Sequence, residues 1–577
     1  MMLVCCWMWI VGIRAVRAAY GYAEALTLHQ HADGRVTGLF AFERQLTATT
    51  TAIQIHSLQP QSTQIADAIG DAAVRFGVVH FELGLTVGTR CRLLGSDLSS
   101  CLPPGAVVWA WFSNDNGNDS SASAYINTEQ GNAVEDKNDI NSRWTGFTNA
   151  LAGVLCASLN FVSPAVSAEP LASFAVQGVD PRNHSLRYAS LPRESVCTEN
   201  LTPWAKLLPC STKAGIASLF NAYSIYDADY HSMGLVLSKP PSSPHVTISQ
   251  SLHLVLDPVR KGYARSIDWS LDFLFGRRSI VGLCPLAYEG TNVTVVLVDG
   301  KNASFTGQIT PTRLDNSRYF FSLQLGKPLQ FGVKYLDSKP NREIDPATEP
   351  TIKLHRHLTG YGRERGGISI HITNNNPTAS QNITLLEVVP WYLKIYLHTL
   401  KIDTTPVFTT GQTSPSSSSI ANITTQRYQT SIDRKRPTVL EIDATLPPHS
   451  TTTFTYAFDR AFIKYTEHPP DANRGFDIGP SVVTVHNGES EDNRLYSEVL
   501  LIALPTPDFS MPYNVITMTC TIVALYFGQV FNLVVKRLEP MPEDKIGPRK
   551  WWMFWKRKDS SNVGGNSGSV NDEKKKN

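Results

Sequence analysis

Leu504-Pro-Thr-Pro-Asp508-Phe-Ser510-Met-Pro-Tyr513-Asn514 opens an apolar run from about Tyr513 to Val535, which stops at Lys536-Arg537. The run holds about 23 residues without Asp, Glu, Lys or Arg, and roughly 20 suffice to cross a bilayer. It therefore predicts a transmembrane helix over 513–535. Basic residues directly behind a span mark its cytosolic side. This puts 536–577 in the cytosol and the large preceding mass on the other face. Pro505, Pro507 and Pro512 stiffen a polar lead that carries Asp508, Ser510 and Asn514. Two readings of that lead stay open here: helix capping on a plain anchor, or capture of a lipid headgroup.

Working outward, Met2–Ile13 is apolar but too short to span, and the small residues Ala18, Ala19 and Ala23 follow it. This reads as a signal peptide over 1–19. The remaining features fit a secretory chain. Six cysteines, Cys91, Cys101, Cys156, Cys197, Cys210 and Cys284, lie outside the leader and the span. In an oxidising compartment such cysteines pair. Acceptor sequons stand at Asn118, Asn183, Asn292, Asn302, Asn382 and Asn422. Another, Asn200, is hindered by Pro203. The chain ends Lys574-Lys575-Lys576-Asn577, whose Lys574 and Lys575 match a dilysine retrieval address for the endoplasmic reticulum.

Lys+Arg total 52 against Asp+Glu 50, a balance that excludes the basic footprint of a nucleic-acid binder. At 577 residues the chain exceeds one hydrophobic core. The predicted fold class is mainly β with an α+β N-terminal part, β-sandwich structure beyond it, and the single C-terminal transmembrane helix. In 20–215, Leu26–Phe42 reads as a strand, Gln61–Val74 as a helix, Val78–Leu83 as a strand and Val107–Phe112 as a buried strand. Residues 113–141 are rich in Asn, Asp, Ser and Gly and read as a disordered insertion. Trp144, Phe147, Leu151, Val154, Leu155 and Leu159 mark one face of a helix over 143–159. Leu191–Cys210, with three prolines, Trp204 and two cysteines, reads as an irregular, stiff surface segment, and a Cys197–Cys210 staple is its ordinary explanation. A central β-rich region follows over 216–354. Ile368, Ile370 and Ile372 then alternate with polar residues, Leu385–Ile402 continues as strand, and Phe454, Tyr456 and Phe458 alternate again. These predict a β-sandwich over 355–505, with a Ser/Thr-rich loop at 404–426.

The chain carries no Gly-x-Ser-x-Gly elbow, His-Glu-x-x-His helix, phosphate-binding Gly-rich loop or Cys-x-x-Cys pair. No catalytic residue, metal ligand or cofactor is assigned.

Several blocks carry a family resemblance. They are Phe147–Phe161 with Cys156-Ala-Ser-Leu-Asn-Phe161, Leu191–Cys210, Asp268-Trp-Ser-Leu271, Cys284-Pro-Leu-Ala287, Gly360-Tyr-Gly362, Val389-Pro-Trp-Tyr-Leu393 and Leu504–Val515. In this order they resemble the PIG-T family of glycosylphosphatidylinositol (GPI) transamidase subunits. The resemblance implies a non-catalytic subunit in the lumen and membrane of the endoplasmic reticulum. The complex removes a C-terminal signal from a protein and joins the new carboxyl end to the ethanolamine of a preassembled GPI lipid. The implied partners are a caspase-like catalytic subunit of PIG-K type, the other membrane subunits and the GPI lipid. By motif, Cys197 makes a disulfide to the catalytic subunit. Cys91–Cys101 then reads as a local pair, and Cys156, Cys210 and Cys284 stay unassigned. The resemblance also gives GPI contacts to Asn473, in Pro470-Asp-Ala-Asn473-Arg-Gly-Phe476, and to Asp508, Ser510 and Asn514. The insertions and an aromatic, basic tail around Trp551–Lys558 depart from the family pattern. The reading of another class is a single-pass receptor or adhesion ectodomain, which the dilysine end opposes.

Overall fold

The computed structural model describes residues 21–31, 33–47, 62–88, 101–114, 140–239, 245–258, 268–277, 279–287, 291–297, 303–307, 311–313, 317–323, 327–335, 350–360, 364–406, 421–469, 471, 474–486, 492–506 and 510–537. The chain divides into two compact units, Met1–Thr506 and Pro507–Asn577. The first is mainly β.

Its first layer is an eleven-stranded sheet. The order runs Thr312–Arg313, Arg318–Ser322, Thr291–Val296, Tyr22–Gln30, Val36–Thr47, His245–Leu256, Tyr230–Ser238, Val78–Val87, Gly105–Ser113, His184–Leu191 and Ser167–Ala168. The run expected as one strand over 26–42 is a hairpin. Its chain reverses around Asp33-Gly34, where Gly34 has φ +87 and the Asp33 carboxylate accepts from Arg35 N–H at 3.0 Å. An Asp-Gly pair between alternating stretches turns the chain more strongly than alternation extends it. Tyr22–Gln30 lies parallel to Thr291–Val296. Strands from both sides of residue 215 thus share one layer, since an alternating pattern selects a face but not a neighbour.

One face of this sheet is covered by helices α1 (Ser62–Arg75), α2 (Ile140–Leu155) and α3 (Thr198–Lys206). Ile69, Ala73, Trp144, Phe147, Leu151 and Trp204 pack there among Phe40, Phe81 and Phe112. α2 stops earlier than the apolar periodicity predicts because Cys156 adopts a left-handed φ of 53°; Leu159 remains buried in a following 3-10 turn. The continuous apolar run Gly105–Ser113 has a physical cause. Ala106, Val108, Ala110 and Phe112 face the helix-side core, and Val107, Trp109 and Trp111 face a second core. A strand buried on both faces loses its polar alternation.

That second core is closed by Leu386, Val439, Val482 and Tyr496 from a β-sandwich. The sandwich packs a four-stranded sheet (Ile352–Thr359, Arg365–Asn374, Ser450–Arg460, Leu393–Pro406) on a five-stranded one (Asn422–Gln429, Thr438–Leu446, Gln381–Val389, Val482–His486, Asn493–Tyr496). Ile368, Ile370, Ile372, Phe454, Tyr456 and Phe458 meet Ile383, Leu385, Leu440, Ile442 and Val483 between them. The single run expected over 385–402 is two strands in different sheets, split at Pro390, whose carbonyl accepts from Leu393 N–H at 3.0 Å. Proline has no N–H for the ladder and ends the first strand. Strand structure reaches Pro406 and resumes at Asn422, so the expected 404–426 loop loses both ends, and 407–420 lie outside the described residues. Of the expected insertion over 113–141, 115–139 lie outside them too. Inside the sandwich the fully buried Arg356 and Glu387 form an ion pair, with Tyr456 donating to the same carboxylate at 2.8 Å and Gly479 O accepting from Arg356.

The second unit contains one described helix, Ser510–Val535. Its stretch Tyr513–Val535 is 23 residues, long and apolar enough to cross a membrane, and none of it is buried within the protein. At 1.5 Å per residue it spans about 34 Å, against a hydrocarbon core of about 30 Å. Thr517, Thr519 and Thr521 donate to the carbonyls of Tyr513, Val515 and Thr517 at 2.8, 2.8 and 2.7 Å. Their hydroxyls are satisfied within the helix, as an apolar solvent demands.

Candidate functional site

The segment expected to be irregular contains α3, whose Leu201 and Trp204 are buried. Trp204 Nε1–H donates to Gly234 O at 3.1 Å, and Gln250 Nε2 donates to Trp204 O at 2.9 Å. The prolines and the sequon conceal the helix in the sequence. Its start is organised by Asn200, only 1% exposed. The Asn200 carboxamide oxygen accepts from Cys197 N–H at 2.8 Å, and its Nδ2 donates to Leu155 O at 3.1 Å and Cys156 O at 2.8 Å. One side chain thus closes the open carbonyls at the end of α2 and an amide at the start of α3.

Cys197 is the N-cap of α3. Its carbonyl accepts from Asn200 N–H at 3.0 Å and from the Tyr226 hydroxyl. Burial pushes the Tyr226 phenol up, and the nearby Cys197 adds to the shift. The backbone of Cys197 is therefore held from several sides, while its thiol is unbonded and half-exposed. Cys210 is bonded to Cys284, with a Cα–Cα distance of 6.0 Å. This overturns the Cys197–Cys210 staple and assigns two of the three cysteines left open. Cys156 is unbonded and exposed. Cys101 is disulfide-bonded, whereas Cys91 lies outside the described residues.

The loop before Cys197 is tied at two further points. Glu194 Oε1 accepts from Ser158 N–H at 2.8 Å. Arg193 Nε lies 2.7 Å from Asp477 Oδ2, and Arg193 Nη2 donates to Gly475 O at 3.4 Å. Gly475 and Asp477 flank Phe476, the last residue of the motif that holds Asn473. The strand Phe476–Ile478 pairs antiparallel with Leu500–Ile502. Gly475 has φ +92, and a Cβ there would stand 2.5 Å from Ile502 O, so glycine is required. Tyr392 packs on Phe476 with ring centroids 5.2 Å apart. Burial pushes its phenol up, Asp477 adds to this, and Arg193 opposes it. Residues from the blocks 191–210, 389–393 and 470–476 thus meet at one place, and the sequence reading missed both Arg193 and Asp477. The only signal for them was position, each within or beside a motif.

Of the residues given to the lipid, Asn473 and Asp508 lie outside the described residues. Ser510 begins the apolar helix, and Asn514 is exposed on it. Among the sequons, Asn183, Asn382 and Asn422 are exposed, with Asn382 accepting from Thr445 Oγ1 at 2.8 Å. Asn292 is half-buried in a strand paired on both sides. Asn118, Asn302, Lys574 and Lys575 lie outside the described residues, as does the 1–19 leader. Among the described residues no group of three or more His, Cys, Asp or Glu is placed to hold a metal.

A family model described as Gpi16 subunit, GPI transamidase component, matches residues 3–268 and 261–554. A mouse protein named GPI-anchor transamidase component PIGT is 33% identical over 527 residues, covering 83% of this chain and 84% of that one. The human protein of the same name is 32% identical, covering 81% and 83%. A Saccharomyces cerevisiae protein named GPI transamidase component GPI16 is 31% identical, covering 70% and 72%.

Proposed function

Because the chain belongs to the Gpi16 family of GPI transamidase components, we propose that it is the non-catalytic subunit that joins and positions the parts of the GPI transamidase of the endoplasmic reticulum. Residues 513–535 anchor it as a single-pass protein with its bulk in the lumen. A caspase-like catalytic subunit is linked to it through Cys197. The observation that carries this reading is the state of that residue: its backbone is fixed as a helix cap while its thiol stays free and half-exposed. A cysteine held in this way keeps one direction and leaves its sulfur for a partner. The receptor alternative gives no reason for such a thiol.

For the lipid, the polar groups supply suitable chemistry. The Asp508 carboxylate suits the ethanolamine ammonium, and Asn473, Ser510 and Asn514 suit phosphate oxygens and sugar hydroxyls. Charge-assisted bonds of this kind contribute roughly 1.5–3 kcal/mol each.

The test is a paired gel of the tagged protein from microsomes, non-reducing beside reducing, for the wild type and Cys197→Ser. A reducible band of higher mass that contains a caspase-like protein and is lost in the variant is expected. A wild type that runs only as monomer and co-purifies with no such protein in mild detergent would sink the reading. For the lipid role, Asp508→Ala as sole copy is expected to lower GPI attachment to a reporter while the reducible band persists. Normal attachment by that variant would remove Asp508 from the lipid set.

A further inference from the structure

We propose that the Arg193–Asp477 ion pair is a positioning device, which holds Gly475 and the strand Phe476–Ile478 in register with the loop that leads into Cys197. The proposal rests on the reading above, in which the motif ending at Phe476 serves the lipid and Cys197 the catalytic partner. Arg193, Cys197, Gly475 and Asp477 all lie in the first unit, Met1–Thr506.

Each side of the pair is anchored independently. On the Cys197 side, Glu194 is fixed to Ser158 N–H and Cys197 to Asn200. On the other side, Asp477 sits in a strand paired with Leu500–Ile502, and Gly475 is pressed against Ile502 O. Arg193 bridges the two by meeting the Asp477 carboxylate and the Gly475 carbonyl with one planar guanidinium. The contact to Asp477 is an ion pair and the hydrogen bond goes to Gly475 O, so one side chain reaches both residues. The Asp477 side chain is 11% exposed and that of Arg193 is 37% exposed. Arg474 also reaches this carboxylate, but at 3.5 Å and from a side chain 54% exposed. The short, enclosed contact is therefore the one from Arg193.

An ion pair of this exposure adds little to folding. Its value lies in placement. The acceptor amine must approach the carbonyl that the catalytic subunit presents, and a misplacement of about 1 Å costs on the order of a hundredfold in rate. The two ends of that approach belong to different chain segments, and the Arg193–Asp477 contact ties them directly.

The experiment uses the full chain as sole copy in cells carrying a GPI-anchored reporter. The variants are Arg193→Glu, Asp477→Arg, their double, and the milder Asp477→Asn. Attachment is measured per mole of the Cys197-dependent reducible complex, so a lower level of folded chain does not mimic the effect. Each single reversal is expected to lower attachment roughly five- to tenfold, within the range of a small misplacement. The double is expected to recover at least half of the loss, and Asp477→Asn to fall between. Single variants that attach as wild type overturn the proposal, as does a double that recovers nothing. Loss of the reducible band in Arg193→Glu also overturns it, because the pair would then build the junction rather than position the lipid segment. Absence of that band in the wild type is a different failure, of the underlying reading, and the proposal falls with it.

Discussion

At the start of α3, Cys197 is half-exposed and unbonded; a little past the end of the same helix, Cys210 is bonded to Cys284, which is 0% exposed. The surroundings differ accordingly. Around Cys197 the backbone is held: its N–H donates to Asn200 Oδ1 and its carbonyl accepts from the Tyr226 hydroxyl. Around Cys210 the fold locks the two joined stretches together. Gly215 N–H donates to Gly282 O at 2.9 Å, and the buried Glu24 carboxyl accepts from Ile216 N–H at 3.2 Å. One cysteine is closed in an internal disulfide and the other is not. Both stand in one stiff stretch of sequence, so spacing alone does not tell them apart.

The largest expected break in this contrast comes from Cys210→Ser. Loss of the internal disulfide is expected to cost roughly 2–5 kcal/mol and to lower the thermal midpoint of the purified protein. Cys197→Ser is expected to leave that midpoint unchanged. Equal midpoints for the two variants would erase the distinction.

Acidity is expected to act on the Cys210 end. Burial raises the Glu24 carboxyl from 4.5 to about 7, against the opposing hydrogen bonds from Tyr22, Ile216 and Thr291. Folding therefore favours the protonated form. Its contribution is fully present below about pH 4.5, declines as pH rises to about 7, and stays lost above that. At about 1.4 kcal/mol per pH unit the change is at most about 3.5 kcal/mol. Denaturant midpoints of wild type and Glu24→Gln across this window should diverge, the variant being the flatter; parallel curves would refute the assignment.

The smallest effect belongs to the Cys197 end. Asn200→Ala removes the cap shared by α2 and α3 and is expected to cost roughly 1–2 kcal/mol. The reducible band should weaken without vanishing, since Tyr226 still holds the Cys197 carbonyl. An unchanged melting curve would mean that water replaces the carboxamide.

Much of the fold could be read from local pattern. The membrane helix coincides with the 513–535 run, and the β-sandwich follows the alternation at 368–373 and 454–458. Trp144, Phe147 and Leu151 mark the buried face of α2. What escaped was non-local. Nothing within Tyr22–Gln30 indicates that Thr291–Val296 lies beside it, or that Cys210 should choose Cys284. α3 was hidden because Pro203 and polar residues dilute a periodicity carried by Leu201 and Trp204. At the candidate site, Cys197 was singled out by its motif, while Arg193 and Asp477 acquire meaning only once their segments are brought together in space.

The doubly buried strand Gly105–Ser113 sets a problem of timing during biosynthesis. Its Trp109 and Trp111 face a core completed only by Leu386, Val439, Val482 and Tyr496. The ribosome makes these much later, after some tens of seconds at roughly 5–20 residues per second. Until then Trp109 and Trp111 have only the early-made part of this core to pack against, Phe174 and Tyr188 among it.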